Sequence, residues 1–368
     1  MSQKATILIL GKLPPPIIGP AIATNIILNS SLKEGFDLIH FDTRINADVA
    51  TMGKWSLSKL FKIFELYREY KAVIKKEHPD LILVPISQTT MGFVKDAPFI
   101  RIGAKHAKVV VQLRGSNFKN WLATATSFTN DFVNKTLKKC DGVIVLGNNL
   151  RYLFEDVFKE EQIFVVPNGG NYQLQTKKEP TLTVLYLANF LSSKSFDDLL
   201  KAIVILKEKG MTNFKINAAG AWDNEAFKQK CLGIIKDNKL EHVTLLPPKS
   251  GKAKMQLFAD ADVFVFCPKM PEGHPWVIVE AMANGLPVIA TDKGAIIESV
   301  IDGKNGFIVP SEEPAVIAEK LEELLHNSAL RSQFSKQSKV LYKANFTEEK
   351  MVENLKDVFE SVLTNNTL

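Results

Sequence analysis

The chain has 368 residues, 46% of them hydrophobic and 23% charged, with a formal net charge of +6. This is the composition of a soluble globular protein, and the length exceeds what one hydrophobic core usually supports, so two domains are expected. Three isolated cysteines (Cys140, Cys231, Cys267) and six scattered histidines speak against a disulfide framework or a zinc site and for a reducing compartment.

The first apolar run, Ala5 to Leu10, stops at Gly11. It is strand-length and too short for the core of a signal peptide, and no later run reaches the length of a membrane span. A cytoplasmic protein is expected. Further strand-like runs follow at Phe36–Phe41, Leu81–Pro85, Val109–Leu113, Gly142–Leu146 and Ile163–Val166. Helical patterns fall between most of them, which predicts βα units and a parallel sheet.

Behind the first run comes GKLPPPIIGPAIATNI, in which Pro14 to Pro16 forbid helix and Gly19 opens a run that suits one. A glycine loop entering a helix is an anion-friendly geometry, although such turns are common. Residues 54 to 76 hold seven basic side chains against Glu65 and Glu69, a balance of +5. Leu57, Leu60, Phe61, Phe64 and Tyr67 recur there at helical spacing. The expectation is a helix whose aromatic stripe packs on the sheet while its basic face is solvated. The alternative is a helix lying on an anionic membrane surface. No nucleic-acid-reading motif accompanies the charge, so nucleic acid is not an expected partner. In VVVQLRGSNF, Arg114 stands at the carboxyl end of a strand, placed to bind a phosphate or to pair with a surface acid.

Residues 167 to 181 (PNGGNYQLQTKKEPT) are polar and turn-rich and read as an interdomain linker. The pattern then restarts: strands at Val184–Leu187, Phe214–Ala218 and Val243–Leu246, helices at Phe196–Lys209, Glu225–Lys236 and near Ala253–Phe258, and later a helix around Pro314–Leu325. Lys194 lies at the strand-to-helix turn LANFLSSKSFDDLL, where a point cation suits a phosphate. A last helix runs from Glu348 to Leu363.

One stretch, Cys267 to Gly294 (CPKMPEGHPWVIVEAMANGLPVIATDKG), carries most of the chemistry. A short strand, Asp262–Phe266, precedes it and another, Pro287–Thr291, closes it. Pro275 to Asn284 reads as a helix with proline in its first position and Gly285 as its left-handed stop. Gly273 permits close approach of a ligand, and the helix amides beside it suit a phosphate. Glu272 and Glu280 flank that seat. Pro275 to Glu280 rises about 7.5 Å, so the two carboxylates bracket a diphosphate. Trp276 and Glu280 are neighbours on one helix face. Both glutamates read plainly as surface charges too, but Glu280 lies within Val277, Ile278, Val279, Ala281 and Met282, where a solvated residue is not expected. A glycosidase carboxylate pair fits poorly, because it needs no phosphate seat.

The run PEGHPWVIVEAMANGLPVIATDKG resembles the E-x7-E signature of retaining GT-B glycosyltransferases, glycosyltransferase family 4. The similarity continues through Glu298 and the Asp302–Gly306 turn and covers most of the carboxyl-terminal half, with a fainter echo in the amino-terminal half. It implies an α/β GT-B fold, with two doubly wound Rossmann-like domains facing across a cleft. Residues 1–167 would form the acceptor side, residues 182–346 the donor-binding side, and a helix at about 347–366 would return to the first domain.

The implied reaction moves a hexose-type sugar from a UDP- or GDP-linked donor to a glycan or lipid-linked acceptor, with retention and without metal or cofactor. Peripheral contact with the inner face of the membrane would run through residues 54–76. The resemblance puts Gly19, Asn189, Lys194, Glu272, Gly273, His274, Pro275, Trp276 and Glu280 on the donor, and Glu272, Lys194 and Arg114 at the reacting centre. Asn189 replaces the family's usual arginine, Arg114 its histidine, and Ile18-Gly19-Pro20 its Gly-Gly pair. Two alternatives share the architecture: a sugar-nucleotide epimerase or phosphorylase, and a non-catalytic sugar-nucleotide binder.

Overall fold

The computed structural model describes residues 4–15, 18–44, 57–178 and 180–364, with the side chains of 57–60 outside that description. The chain divides into two units: residues 1–167 with 348–368, and residues 168–347.

The first unit is built on strands β1 (Ala5–Gly11), β2 (Phe36–Asp42), β3 (Leu81–Ile86), β4 (Lys108–Leu113), β5 (Gly142–Val145) and β6 (Ile163–Val165). They form one parallel sheet in the order β2-β1-β3-β4-β5-β6. Its inner strands are mostly continuous apolar runs, because helices cover both faces of such a sheet, whereas the edge strand β2 carries Asp37, His40 and Asp42. The second unit repeats the plan with β7 (Thr183–Leu187), β8 (Lys215–Ala219), β9 (Val243–Leu246), β10 (Val263–Phe266), β11 (Val288–Thr291) and β12 (Gly306–Val309). Its parallel order is β12-β11-β10-β7-β8-β9. The α/β, doubly wound reading therefore holds in both units.

The strand orders fix where the switch point of each sheet falls. In the first sheet the chain steps outward from β1 to β2 and then reverses to β3, so the switch point lies between β1 and β3. In the second the reversal falls between β7 and β10, which pair directly (Val263 with Val184, Phe264 with Leu185). Loops diverge at such a point and open a crevice beyond the carboxyl ends of the strands.

Several local expectations need correction. Pro275 is the N-cap, extended at ψ 124°, and the helix starts one residue later as Trp276–Ala283. The stretch 168–181 belongs to the second unit and is not a free linker. Lys177 Nζ lies 2.5 Å from Asp262 Oδ1, the Lys178 amide donates to Asp260 Oδ1 at 2.7 Å, and Gln256 Nε2 donates to the Thr176 carbonyl at 3.0 Å. Polar turn residues are fastened here by side chains of the domain that follows.

The helix Leu57–Glu77 turns a different stripe inward. Leu66, Tyr70 and Ile74 are buried, Tyr67 is half-buried with its hydroxyl on the Lys95 carbonyl at 2.8 Å, and Phe61 and Phe64 are 75% and 74% exposed. Phe61 and Phe64 fall off the line set by positions 66, 70 and 74 at 100° per residue. Lys54, and the side chains of Leu57, Lys59 and Leu60, lie outside the described residues. No helix among the described residues is long and apolar enough to cross a membrane.

Candidate functional site

In the second unit, β7 and β10 deliver two loops to the switch point. After β7 the chain makes a short 3-10 turn, Ser192–Lys194, and enters the helix Phe196–Glu208 through Ser195 at φ +57°. Asp197 and Asp198, both buried, sit in that helix's first turn, where negative charge meets the positive end of the dipole. Lys230 Nζ lies 2.7 Å from Asp197 and Lys201 Nζ 2.8 Å from Asp198. The turn is thereby pinned, and Lys194 with it.

The loop after β10 is tied to this turn. The Lys269 amide donates to the Ser193 carbonyl at 3.0 Å. The Lys194 ammonium pairs with the Glu272 carboxylate, each side chain about one-fifth exposed, and lies over the Phe266 ring at 5.4 Å. Lys194 and the first of the two glutamates thus meet across the crevice.

Gly273 owes its position to Gly294. Gly294 has φ +60°, and a Cβ there would fall 1.6 Å from the Glu272 carbonyl oxygen. The Ala295 amide donates to the Gly273 carbonyl at 2.8 Å. The glycine closing the TDKG run is therefore the seat on which the Glu272 loop rests.

His274 turns inward. It is 3% exposed, its Nδ1 accepts the Asn168 amide at 3.0 Å, and its Nε2 donates to Ser299 Oγ at 2.6 Å. Asn168 Nδ2 also donates to the His274 carbonyl at 2.6 Å. The Asn168 amide fixes the tautomer with hydrogen on Nε2. Burial pushes the ring's pKa down to about 3. The imidazole braces the loop from beneath, and both of its ring nitrogens are committed.

From Pro275 the helix Trp276–Ala283 carries Glu280 into the protein at 6% exposure, with Lys254 Nζ 2.6 Å from Oε1. Burial raises the carboxyl's pKa and Lys254 opposes that rise. Gly285 ends the helix at φ +72°, as the sequence predicts. Trp276 is half-buried and approaches Gly170. Lys254, on the helix Gly251–Asp260, escaped sequence reasoning. The signal was present, since a glutamate within an apolar run requires a cation, but nothing in the spacing named which one.

Asn189 is exposed on the β7 loop, its Oδ1 accepting the Ala221 amide at 3.3 Å. The structure therefore brings Asn189, Lys194, Glu272, Gly273, His274, Pro275, Trp276 and Glu280 onto the loops and helix around one switch point. Gly19 and Arg114 belong to the other unit. Gly19 opens the helix Gly19–Asn29. Arg114, at the end of β4, donates from Nη2 to Gln112 Oε1 at 2.8 Å, and burial lowers its pKa to about 10.

Two parallel six-stranded units with their binding elements at the switch points define a GT-B architecture. The Anabaena protein HepE in complex with UDP and glucose superimposes with a TM-score of 0.72 at 16% identity, over 97% of this chain and all of that one. Residues 171–341, a little under half of the chain, match the model of the family described as glycosyl transferases group 1. An uncharacterised glycosyltransferase of Methanocaldococcus jannaschii is 30% identical over 222 residues, and the chain spans 60% of that relative's length. One of Haemophilus influenzae is 23% identical over 353 residues, covering 90% of this chain and 93% of the relative.

Proposed function

We propose that the protein is a retaining glycosyltransferase that moves a hexose-type sugar from a UDP- or GDP-linked donor to a glycan or lipid-linked acceptor. The observation that carries this reading is the Lys194–Glu272 pair at the second unit's switch point, next to a helix that holds Glu280. On donor binding, Lys194 and the helix amides take the diphosphate, Glu280 takes ribose hydroxyls and Glu272 takes hydroxyls of the sugar. Asn189 adds a hydrogen bond where the resembling family has an arginine.

The bond between the anomeric carbon and the leaving phosphate oxygen breaks. The acceptor oxygen then bonds on the face the phosphate leaves, and its proton passes to that phosphate. Charge on the leaving group is met by fixed donors, so this route needs no metal. The first unit carries the acceptor in this reading, while Gly19 is assigned to the donor and Arg114 to the reacting centre. The UDP and glucose held by HepE support a nucleotide-sugar donor. Exposed Phe61 and Phe64 on a basic helix support a place at an anionic membrane surface, where lipid-linked acceptors reside.

The test is incubation with UDP- and GDP-sugars, with and without acceptor, in the presence of EDTA. Transfer only with acceptor, undiminished by EDTA, is expected. Glu280→Ala should weaken UDP or GDP binding at least tenfold in a protein that still folds. Epimerised donor without acceptor, or nucleotide binding unchanged in the variant, would overturn the reading.

A further inference from the structure

The first unit has a switch point of its own, and a cavity of about 220 Å³ sits there. It opens beyond the carboxyl ends of β1, β3 and β4, under the start of the helix Gly19–Asn29. Gly11 lines it at the end of β1, where a Cβ would lie 2.6 Å from Thr24 Oγ1, so glycine there lets the helix Gly19–Asn29 pack against the strand end. Four charged side chains line it: Lys12, Lys95, Arg114 and Asp96, a balance of +2.

These charges are not a solvated face. Lys12 is half-buried, and burial first and the Lys95 charge second hold its pKa below the ordinary lysine value, although Asp42 and Asp96 pull the other way. Asp96 is already engaged: Oδ2 accepts the Ser87 amide at 2.8 Å and Oδ1 lies 3.4 Å from Lys95. Arg114 is held by Gln112 at the carboxyl end of β4. Gathering like charges in a partly buried crevice costs free energy, which an anion bound among them recovers.

We infer that this crevice binds a phosphate monoester, whose two negative charges match the +2 lining, and that the acceptor carries that group. The acceptor assignment rests on the transferase reading, whereas the phosphate site does not. The monoester has two sources, a soluble sugar phosphate or the headgroup of a phosphatidic-acid-like lipid. Arg114 supplies a planar fork and the lysines supply point charges, the combination that distinguishes phosphate from a neutral hydroxyl.

Calorimetric titration of the full chain with a hexose 6-phosphate tests the site, with saturating UDP present to occupy the second unit. The phosphate ester should bind at least tenfold more tightly than the uncharged hexose, and inorganic phosphate should compete. Lys12→Met and, separately, Lys95→Met should each weaken binding at least tenfold while leaving UDP binding intact. Flotation with vesicles containing phosphatidic acid or phosphatidylcholine alone separates the sources. Phosphatidic acid that competes with the sugar phosphate assigns a lipid acceptor, and its failure to compete assigns a soluble one. Equal affinity for hexose and hexose phosphate in the wild-type protein would overturn the site. Phosphate binding without UDP binding would instead remove the transferase reading and leave the site standing.

Discussion

Gly294 illustrates how one residue governs the candidate site through backbone packing alone. Alanine there meets two costs: the left-handed φ of +60° and a Cβ placed on the Glu272 carbonyl. Gly303 has nearly the same φ, +67°, with nothing within 4 Å of its virtual Cβ, so Gly303→Ala isolates the strain alone. That strain is worth about 1–2 kcal/mol. Gly294→Ala should lower the Tm several degrees further than Gly303→Ala and should weaken UDP binding at least tenfold. Equal behaviour of the two variants would show that the Glu272 loop does not rest on Gly294.

His274 gives a pH dependence with a definite sign. Its folded-state pKa, about 3, lies below the unfolded value near 6.5, so the unfolded chain takes up the proton first. Its contribution is complete above pH 6.5 and is lost as pH falls toward 3, at up to roughly 1.4 kcal/mol per pH unit. Thermal unfolding at pH 7 and pH 5 should show a smaller loss for His274→Asn than for wild type. Parallel losses would contradict the buried neutral imidazole. Glu272, Glu280 and Lys194 were legible in sequence because their residue types sit at strand ends and in an apolar helix. The inward turn of His274 was not, since its partners Asn168 and Ser299 are set by tertiary packing.

At the level of elements, the helices Gly251–Asp260 and Trp276–Ala283 are joined by Lys254 and Glu280. Removing one partner leaves a buried charge uncompensated, a loss of about 3–5 kcal/mol, while removing both costs far less. Lys254→Met should therefore destabilise the protein in denaturant titrations, and adding Glu280→Gln should restore much of the loss. A double variant as unstable as the single would mean that Lys254 acts through packing of its stem. Strand positions read well because buried parallel strands are unbroken apolar runs. The helix Ser328–Asn345 did not, because it buries few side chains, chiefly Phe334 and Ser338. The strand Gly306–Val309 hid behind the turn that precedes it.

For the molecule as a whole, the doubled α/β plan was readable from the restart of the pattern after residue 181, whereas the attachment of 168–181 was not, since polar turns give no sign of which core they adhere to. The membrane reading also belongs at this scale. The chain should float with vesicles of anionic lipid at low salt and be released at high salt, because each lysine or arginine near such a surface is worth about 1 kcal/mol. Phe61→Ser with Phe64→Ser should reduce flotation, and no flotation even at low salt would leave the basic helix as ordinary surface.

The last helix, Glu348–Thr364, joins the first unit, where Phe359 meets Phe36 edge to face at 5.7 Å. During synthesis those rings emerge 323 residues apart, an interval of roughly 15–65 s at translation rates of about 5–20 residues per second. The second unit is one uninterrupted stretch and emerges whole within that interval. Of the two units, the one that begins first is thus completed last, and Phe36 lacks its Phe359 neighbour until the helix Glu348–Thr364 arrives.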